Sequence, residues 1–359
     1  KDGDPSTATL TVYVEDNSPV EGYVDEDNLP TGIIDPDAVT DVATGSVVSL
    51  VVGPDAGSQF TLSNAPADLA DITAASSGGV ALVYSVLGDT LTAKAGAAGP
   101  VVFTLQVATN GNYTFNLDKA LDHPLDGSND AQLLTLDFTS ILLASNGVNP
   151  LALAGNFLIH VEDDIPLIDA GLSGQLPAAL NTQDAQTIGA NTDSASSNFS
   201  GAFSATPNHG ADGPGVVSWS YSLGLLVAEG ALSGMSSNNL TIKLYESGGV
   251  ITGSTAGSEA GVNAGNTVFS LSVNGAGLVT LNQFAEIDHN PGGATTNYDV
   301  QEAVLASNLV GLTGTASITD YDGDTHVDSA VLDLGGKVAF DDDGPSISLG
   351  FGTSPVPVL

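Results

Sequence analysis

Short stretches in which apolar and polar residues alternate recur along most of the chain. Clear examples are residues 101–107, 113–117, 267–273 and 278–284, which are rich in Val, Thr, Leu and Phe. Alternation with a period of two is typical of half-buried strands, and the Gly, Asn and Asp clusters between the stretches are typical of turns. The pattern predicts an all-β fold of tandem β-sandwich units, immunoglobulin-like or related, with little helix.

Helical periodicity is scarce by comparison. Residues 65–72, 133–143 and 299–306 fit a short helix, but each fits a 3₁₀ turn or a strand equally well. No stretch approaches the roughly 18 uninterrupted apolar residues that a membrane-spanning helix needs. We therefore expect no membrane insertion.

An internal repeat organises the chain. Residues 101–124 (VVFTLQVATNGNYTFNLDKALDHP) match residues 267–291 (TVFSLSVNGAGLVTLNQFAEIDHNP), each with a strand, a turn, a second strand and an Asp-His turn. An acidic signature ending in proline occurs three times, as YVEDNSP, HVEDDIP and AFDDDGP. These repeats predict terminal strands of a preceding unit at 1–20, sandwich units at 21–166 and 167–346, and a linker to a next unit at 347–359.

The charge balance narrows the possible partners. The chain has 42 acidic residues, 33 of them Asp, and 5 lysines with no arginine, which gives a formal net charge of −37. Nucleic acids and anionic membranes need clustered basic side chains, so we expect neither as a partner. Cysteine is absent, which excludes disulfides and zinc–thiolate sites. Cations are the expected ligands.

The strongest motif is Asp320-Tyr321-Asp322-Gly323-Asp324, followed by a strand and an acidic run. Closely spaced carboxylates on a glycine-containing turn can surround Ca²⁺ with six to eight oxygens. The alternative is a plain turn closed by Asx hydrogen bonds. Because acidic clusters recur at the unit boundaries, we favour calcium. The candidate metal ligands are Asp2, Asp4, Glu15, Asp16, Glu162, Asp163, Asp164, Asp320, Asp322, Asp324, Asp341, Asp342 and Asp343.

In the unit at residues 21–166, the sequence SNGVN at 145–149 stands where the Asp-Gly-Asp motif is expected. Any ion at that position should therefore bind weakly or be missing.

Other motifs carry weaker hypotheses. The Asp-His turns at Asp122 and Asp288 fit turn capping better than acid–base catalysis, since no nucleophile motif accompanies them. The histidines lack zinc spacing. Trp219 and Tyr221 share one strand face and are either core residues or a platform for a sugar ring.

The segments GADGPGVVSWSYSL, SGGVITG and ASITDYDGDTHVDSAVLDLGGKVAFDDDGPSI, in this order, resemble the repeat modules of giant bacterial repeats-in-toxin (RTX) adhesins. The resemblance covers the second unit, the latter half of the first and the N-terminal tail. It implies β-sandwich modules of a Ca²⁺-dependent adhesin that is exported by type I secretion and acts at the bacterial surface in attachment and biofilm formation. The glycine-rich nonapeptide of the family's C-terminal β-roll is absent here, which implies an inner section of such a protein.

Two hypotheses from different classes follow. The first is a calcium-stiffened spacer or scaffold whose partners are neighbouring domains of the same adhesin, and which is not an enzyme. The second is a ligand-binding module that holds a surface glycan at residues 181–215 and Trp219. The sequence also suggests that residues 1–20 complete a sheet with a distant segment such as residues 346–352.

Overall fold

The computed structural model describes residues 18–34, 36, 38–52, 57–124, 132–189, 191–289 and 301–343. The chain forms two compact units. Unit 1 consists of Lys1–Ile168, Pro207–Val217 and Ser317–Val327, and unit 2 of Asp169–Thr206, Ser218–Ala316 and Asp328–Leu359. The sequence analysis placed the boundary between the two sandwich units after residue 166. The structure adds two later segments to unit 1, and these segments carry part of the candidate site.

The described part of unit 1 contains three β-sheets. Its strands are β1 (Val20–Asp25), β2 (Val42–Ser46), β3 (Gln59–Leu62), β4 (Ser76–Ser77), β5 (Val80–Leu87), β6 (Thr90–Ala95), β7 (Val101–Val107), β8 (Asn112–Leu117), β9 (Leu133–Asp137), β10 (Leu142–Ser145), β11 (Pro150–Leu151) and β12 (Phe157–Glu162). The strand orders are β2-β8-β7-β6-β5-β4, β1-β12-β9 and β11-β10-β3. Strand β1 runs parallel to β12, and Asp25 is opposite Glu162.

Unit 2 repeats this topology. Its strands are β13 (Leu167–Leu172), β14 (Leu180–Gln183), β15 (Asp193–Asn198), β16 (Phe203–Asn208), β17 (Val216–Leu225), β18 (Ala231–Ser237), β19 (Leu240–Ser247), β20 (Val250–Ser254), β21 (Thr267–Val273), β22 (Leu278–Gln283), β23 (Glu302–Val304), β24 (Val310–Thr319), β25 (Thr325–Asp333) and β26 (Val338–Asp341). The six-stranded order β15-β22-β21-β20-β19-β18 matches that of unit 1, as do β14-β26-β23 and β17-β24-β25, while β13 pairs with β16.

The core of each unit lies between its sheets. In unit 1, Phe103 on β7 packs against Phe138 at 5.8 Å between ring centroids, and Phe138 packs against Phe157 on β12 at 6.0 Å. In unit 2, Phe269 on β21 and Phe340 on β26 lie 5.1 Å apart. Both cores are aromatic and aliphatic and fully buried at these positions. Burial of alternate residues on paired strands is what the period-two pattern predicts.

The prediction of an all-β, sandwich-like fold is confirmed. Of the three helix candidates, residues 65–72 contain the one α-helix in the described part of the chain, Pro66–Ala70. Residues 133–143 form β9, a 3₁₀ turn at Thr139–Ile141 and the start of β10. Residues 301–306 of the third candidate hold β23, and the rest of it lies outside the described residues.

None of the described helices is long and apolar enough to cross a membrane.

Candidate metal centre

Four segments of unit 1 contribute acidic side chains to one cluster, and a fifth contributes a histidine. They are the 3₁₀ turn Glu26–Asn28 after β1, the loop after β8 with His123, the end of β12 with Asp163, the segment Pro207–Val217 with Asp212, and the turn between β24 and β25 with Asp320, Asp322 and Asp324. Carboxylate oxygens of Asp163, Asp212 and Asp322 lie within 4.8 Å of one another, as do those of Asp320, Asp322 and Asp324. We call Glu26, Asp163, Asp212, Asp320, Asp322 and Asp324 the acidic cluster.

The parallel pairing of β1 with β12 explains part of this assembly. The pairing register sets Asp25 opposite Glu162, so the residues that follow both strands leave the sheet at the same edge. The Asp25 side chain accepts a hydrogen bond from the Asp27 amide at 2.9 Å and caps the 3₁₀ turn. Glu26 is thereby turned inward and is fully buried.

Hydrogen bonds hold one oxygen of most carboxylates in the cluster and leave the second oxygen unused. Glu26 Oε1 accepts from the Leu121 amide at 2.8 Å, and Asp163 Oδ1 accepts from the Asp164 amide at 3.1 Å. Asp322 Oδ2 accepts from the His123 amide at 2.9 Å. Among the described residues, the buried atoms with no hydrogen-bond partner include Glu26 Oε2, Asp163 Oδ2, Asp212 Oδ2, Asp320 Oδ2 and Asp322 Oδ1. Buried acceptors without donors are costly unless a ligand satisfies them.

The Asp-x-Asp-Gly-Asp turn is held by its own first residue. Asp320 Oδ1 accepts from the amides of Gly323 at 3.0 Å and Asp324 at 2.9 Å. Gly323 has a φ of +114°, which a residue with a side chain rarely adopts. The Asx bonds weighed as the alternative to a metal are therefore present, but they use only Oδ1 of Asp320 and leave Oδ2 without a partner among the described residues.

The His123 ring lies beside the cluster. Its Nδ1 lies 3.1 Å from the carbonyl oxygen of Leu121, and its Nε2 lies 3.1 Å from that of Val161. Carbonyl oxygens only accept hydrogen bonds, so each ring nitrogen of His123 faces an acceptor. The Nδ1 atom also lies 3.2 Å from Asp163 Oδ1. Both ring nitrogens of His123 therefore face oxygen acceptors of unit 1.

The carboxylates of the acidic cluster are buried close together, so their negative charges repel one another. Burial, reinforced by the charges of Asp322 and Asp212, raises the pKa of Asp163 to about 9. Burial and the charges of Asp322 and Asp320 raise the pKa of Asp212 to about 9, while burial raises that of Asp320 to about 7. Burial also raises the pKa of Glu26 well above its ordinary value. Without a cation, several of these groups hold protons near neutral pH.

A second loop approaches the cluster through backbone amides. Asp164 Oδ2 accepts from the amides of Ala211 at 2.6 Å and Ile33 at 3.1 Å. Gly210 has a φ of +68°, and a Cβ atom there would lie 2.7 Å from the same oxygen. Only glycine fits this contact without strain. The neighbouring Asp212 is positioned by this loop.

The chemistry of this centre suits a hard cation. The available ligands are carboxylate oxygens, cysteine is absent from the chain, and His123 is committed to carbonyl groups. Ca²⁺ takes six to eight oxygen ligands in flexible geometry, whereas zinc prefers nitrogen and sulfur. The unused oxygens of the cluster therefore fit calcium, and the cation would replace repulsion by shared ligation.

The structure groups the predicted ligands differently from the sequence interpretation. Asp320, Asp322 and Asp324 lie with Asp163 in unit 1, whereas Asp341–Asp343 belong to unit 2, where Asp342 lies with Asp184 and His289. Asp164 binds loop amides, and Glu162, Asp341 and Asp343 join none of the carboxylate groups found among the described residues. Asp2, Asp4, Glu15 and Asp16, and the predicted partners of the N-terminal tail, lie outside the described residues.

Sequence reasoning missed Glu26, His123 and Asp212 as members of the centre. Asp122 and Asp288 accept hydrogen bonds from turns elsewhere in the chain, Asp122 Oδ2 from the Gly79 amide and Asp288 Oδ2 from the Asn239 amide. One sequence signal could have indicated His123, because a histidine follows Asp in both copies of the repeat, as His123 and His289. The side chains of both histidines are buried.

The proposed glycan platform is a packed aromatic group in unit 2. Trp219 and Tyr221 stack with 6.2 Å between ring centroids, and both contact Phe203, at 6.1 and 5.7 Å. Both rings are half-buried and pack against the core of unit 2. This arrangement accounts for the pair as core residues.

In unit 1, the turn at residues 146–149 stands where an Asp-Gly-Asp motif was expected, and backbone amides close it by donating to the Asn146 side chain. Strands β10 and β11 correspond to β24 and β25, so residues 146–149 occupy the place of Asp320–Asp324. Asn146 Oδ1 accepts from the amides of Val148 and Asn149. The turn is formed without carboxylates.

Comparisons with known proteins give little beyond a domain match. Residues 179–335 match the model of a domain of unknown function, DUF5801. A comparison with curated proteins gave no match. Among solved structures, the chain is similar to one described as "PcdhgB3 EC1-4 in 50 mM HEPES", at 12% identity over 92% of this chain and 76% of that chain, with a TM-score of 0.17.

Proposed function

We propose that this chain is a calcium-stabilised structural spacer or scaffold section of a secreted bacterial adhesin, and that it supports attachment and biofilm formation at the cell surface without catalysing a reaction. The observation that carries the calcium part is the set of buried carboxylate oxygens that lack hydrogen donors, among the described residues, at the acidic cluster. The adhesin part rests on the resemblance of the repeat motifs to RTX adhesin modules.

The repetition of one topology supports the spacer role. An extended array consists of repeated modules, and the two units have the same strand order and a core each. An ion that ties together segments distant in sequence would resist pulling on unit 1. Its neighbours in the array, other domains of the same adhesin, are the partners we propose.

Calorimetric titration and unfolding with and without calcium test this proposal. The full chain, stripped with EDTA, is titrated with CaCl₂ and in parallel with MgCl₂. Binding to the folded state alone stabilises it by about 2.7 kcal/mol at a 100-fold excess over Kd, so we expect Tm to rise with calcium and much less with magnesium.

Single-molecule pulling tests the spacer role directly. The force that unfolds unit 1 should be higher in CaCl₂ than in EDTA, because the ion must be released before the segments separate. An unchanged melting curve and an unchanged unfolding force would overturn the proposal. In that case reproducible glycan-array binding, lost on Trp219→Ala, would establish the ligand-binding alternative.

A further inference from the structure

Unit 2 contains the same backbone framework that carries the acidic cluster in unit 1. Strand β14 runs parallel to β26 with Gln183 opposite Asp341, as β1 runs parallel to β12. A 3₁₀ turn, Asp184–Gln186, follows β14 at the place where Glu26–Asn28 follows β1. Asp184 therefore occupies the position of Glu26.

The individual contacts correspond as well. Asp184 accepts from the Ile287 amide at 3.2 Å, as Glu26 does from Leu121. His289 Nδ1 lies 2.8 Å from the Ile287 carbonyl oxygen, and its Nε2 lies 2.9 Å from that of Phe340. The Asp342 amide donates to the Gln301 carbonyl at 3.0 Å, and in unit 1 the Asp163 amide donates to Gln132 at 3.1 Å. Asp184, His289 and Asp342 thus reproduce Glu26, His123 and Asp163.

Only half of the centre is present in unit 2. Within the described residues, the cluster around Asp184 contains only His289 and Asp342. In unit 1 the His123 amide donates to Asp322, but no acceptor for the His289 amide is found in the described part of the chain. Nothing described in unit 2 takes the places of Asp212, Asp320, Asp322 and Asp324.

A buried, unused acceptor lies beside this half-site. Gln283 is fully buried, and its Nε2 donates to Asp184 Oδ1. Its Oε1 has no hydrogen-bond partner among the described residues. A surface cleft lined by Ser236, Asp288, His289 and Glu302 opens next to it. The half-site is therefore reached from the surface through His289, which lines this cleft, and through Asp342, whose side chain is 22% exposed.

We propose that Asp184, His289 and Asp342 form an acceptor half-site that binds the Asp-x-Asp-Gly-Asp turn of another module of this type, with Ca²⁺ held between the two. This inference deepens the proposed function and rests on it. The partner chemistry follows from unit 1, where the same framework is completed by such a turn. Both halves are acidic, so they repel one another unless a cation joins them. Association at this site therefore requires calcium.

A chain with a duplicated second unit tests the half-site. Residues 1–343 are followed directly by a second copy of residues 165–359, so that Asp343 precedes Ile165 as Asp164 does in the natural chain. The calcium bound per chain is measured by equilibrium dialysis for the natural and the extended chain. We expect the extended chain to bind more calcium, because the turn at 320–324 of the second copy completes the half-site of the first.

Two matched variants locate the additional calcium. Asp184→Asn in the first copy of unit 2 should abolish the gain, and Asp184→Asn in the second copy, which has no following module, should leave it. The two variants have the same composition, so a general folding defect would affect both. Asp322→Asn in the second copy should also remove the gain.

The possible failures are distinct. If the natural chain binds calcium and the extended chain binds no more, or if the gain survives Asp184→Asn in the first copy, the half-site is refuted and the proposed function stands. If the natural chain binds no calcium, the proposed function fails and this inference fails with it.

Discussion

Replacement of Asp322 by Asn should have opposite effects on stability with and without calcium. The Asn oxygen can still accept the hydrogen bond from the His123 amide, which is 2.9 Å long in the wild type. The substitution removes a negative charge that raises the pKa of both Asp163 and Asp212. The calcium-free protein thus loses repulsion, whereas the calcium-bound form that we propose would lose a ligand.

The structure sets the size of both effects. At the 4.8 Å limit between carboxylate oxygens, two unit charges repel by about 3 kcal/mol at an effective dielectric constant of about 20. Protons held by Asp163 and Asp212 relieve part of this, so the calcium-free variant should be as stable as the wild type or up to about 3 kcal/mol more stable. With calcium at about 1,000 times the wild-type Kd, the ion contributes about 4.1 kcal/mol, and a site weakened about 100-fold keeps about 1.4 kcal/mol.

Urea unfolding in EDTA and in CaCl₂ measures these differences. Circular dichroism follows the whole chain, and fluorescence of the single tryptophan, Trp219, follows unit 2. A transition seen by the first probe and not by the second belongs to unit 1. The control is Asp71→Asn, an exposed Asp of the same unit. A variant that is destabilised equally in EDTA and in CaCl₂, or whose calcium response equals that of the wild type, would refute the reasoning.

Two further predictions follow from the same centre. The raised pKa values of Asp163 and Asp212, about 9 in the folded protein against about 3.8 in the unfolded chain, mean that the folded state binds more protons between these values. The stability of the calcium-free protein should therefore fall as pH rises from about 4 to about 9, by up to about 1.4 kcal/mol per pH unit for each of the two groups. In an unbuffered titration at pH 7, added CaCl₂ should release protons. A stability that does not change with pH would contradict this prediction. Gly210→Ala should lower the stability of unit 1 by about 1–3 kcal/mol through left-handed strain and contact with Asp164 Oδ2. The control Gly213→Ala, at a φ of +89° with no atom near its Cβ position, should cost less stability in urea unfolding. Equal losses for the two variants would show that the contact contributes nothing.

The strands and the turn at Asp320–Asp324 could be predicted because their signals are local. Alternation over a few residues gives a strand such as β7, and the Gly within a run of Asp gives the turn. The match of SNGVN to the Asp-Gly-Asp position is likewise a local alignment, and it agrees with the correspondence of β10–β11 to β24–β25.

The membership of the centre could not be predicted because it depends on contacts across the chain. Glu26 meets the Leu121 amide 95 residues away, and His123 meets Asp322 at a separation of 199. With 42 acidic residues in the sequence, no spacing rule distinguishes Asp212 from its neighbours. The parallel pairing of β1 with β12, which sets the register of Glu26 against Asp163, leaves no mark in either strand alone.

The contact between His123 and Asp322 also predicts an order of folding for unit 1. Closing a loop of 199 residues costs chain entropy that grows with the logarithm of its length, and contacts of such long range form late. Most of the buried strands of unit 1 are encoded before residue 163, but the carboxylates that complete its centre arrive near residue 320. We therefore expect the sandwich to assemble first and the centre to be completed afterwards. If the centre binds calcium as we propose, the ion concentration of the surroundings would decide when the finished module becomes rigid.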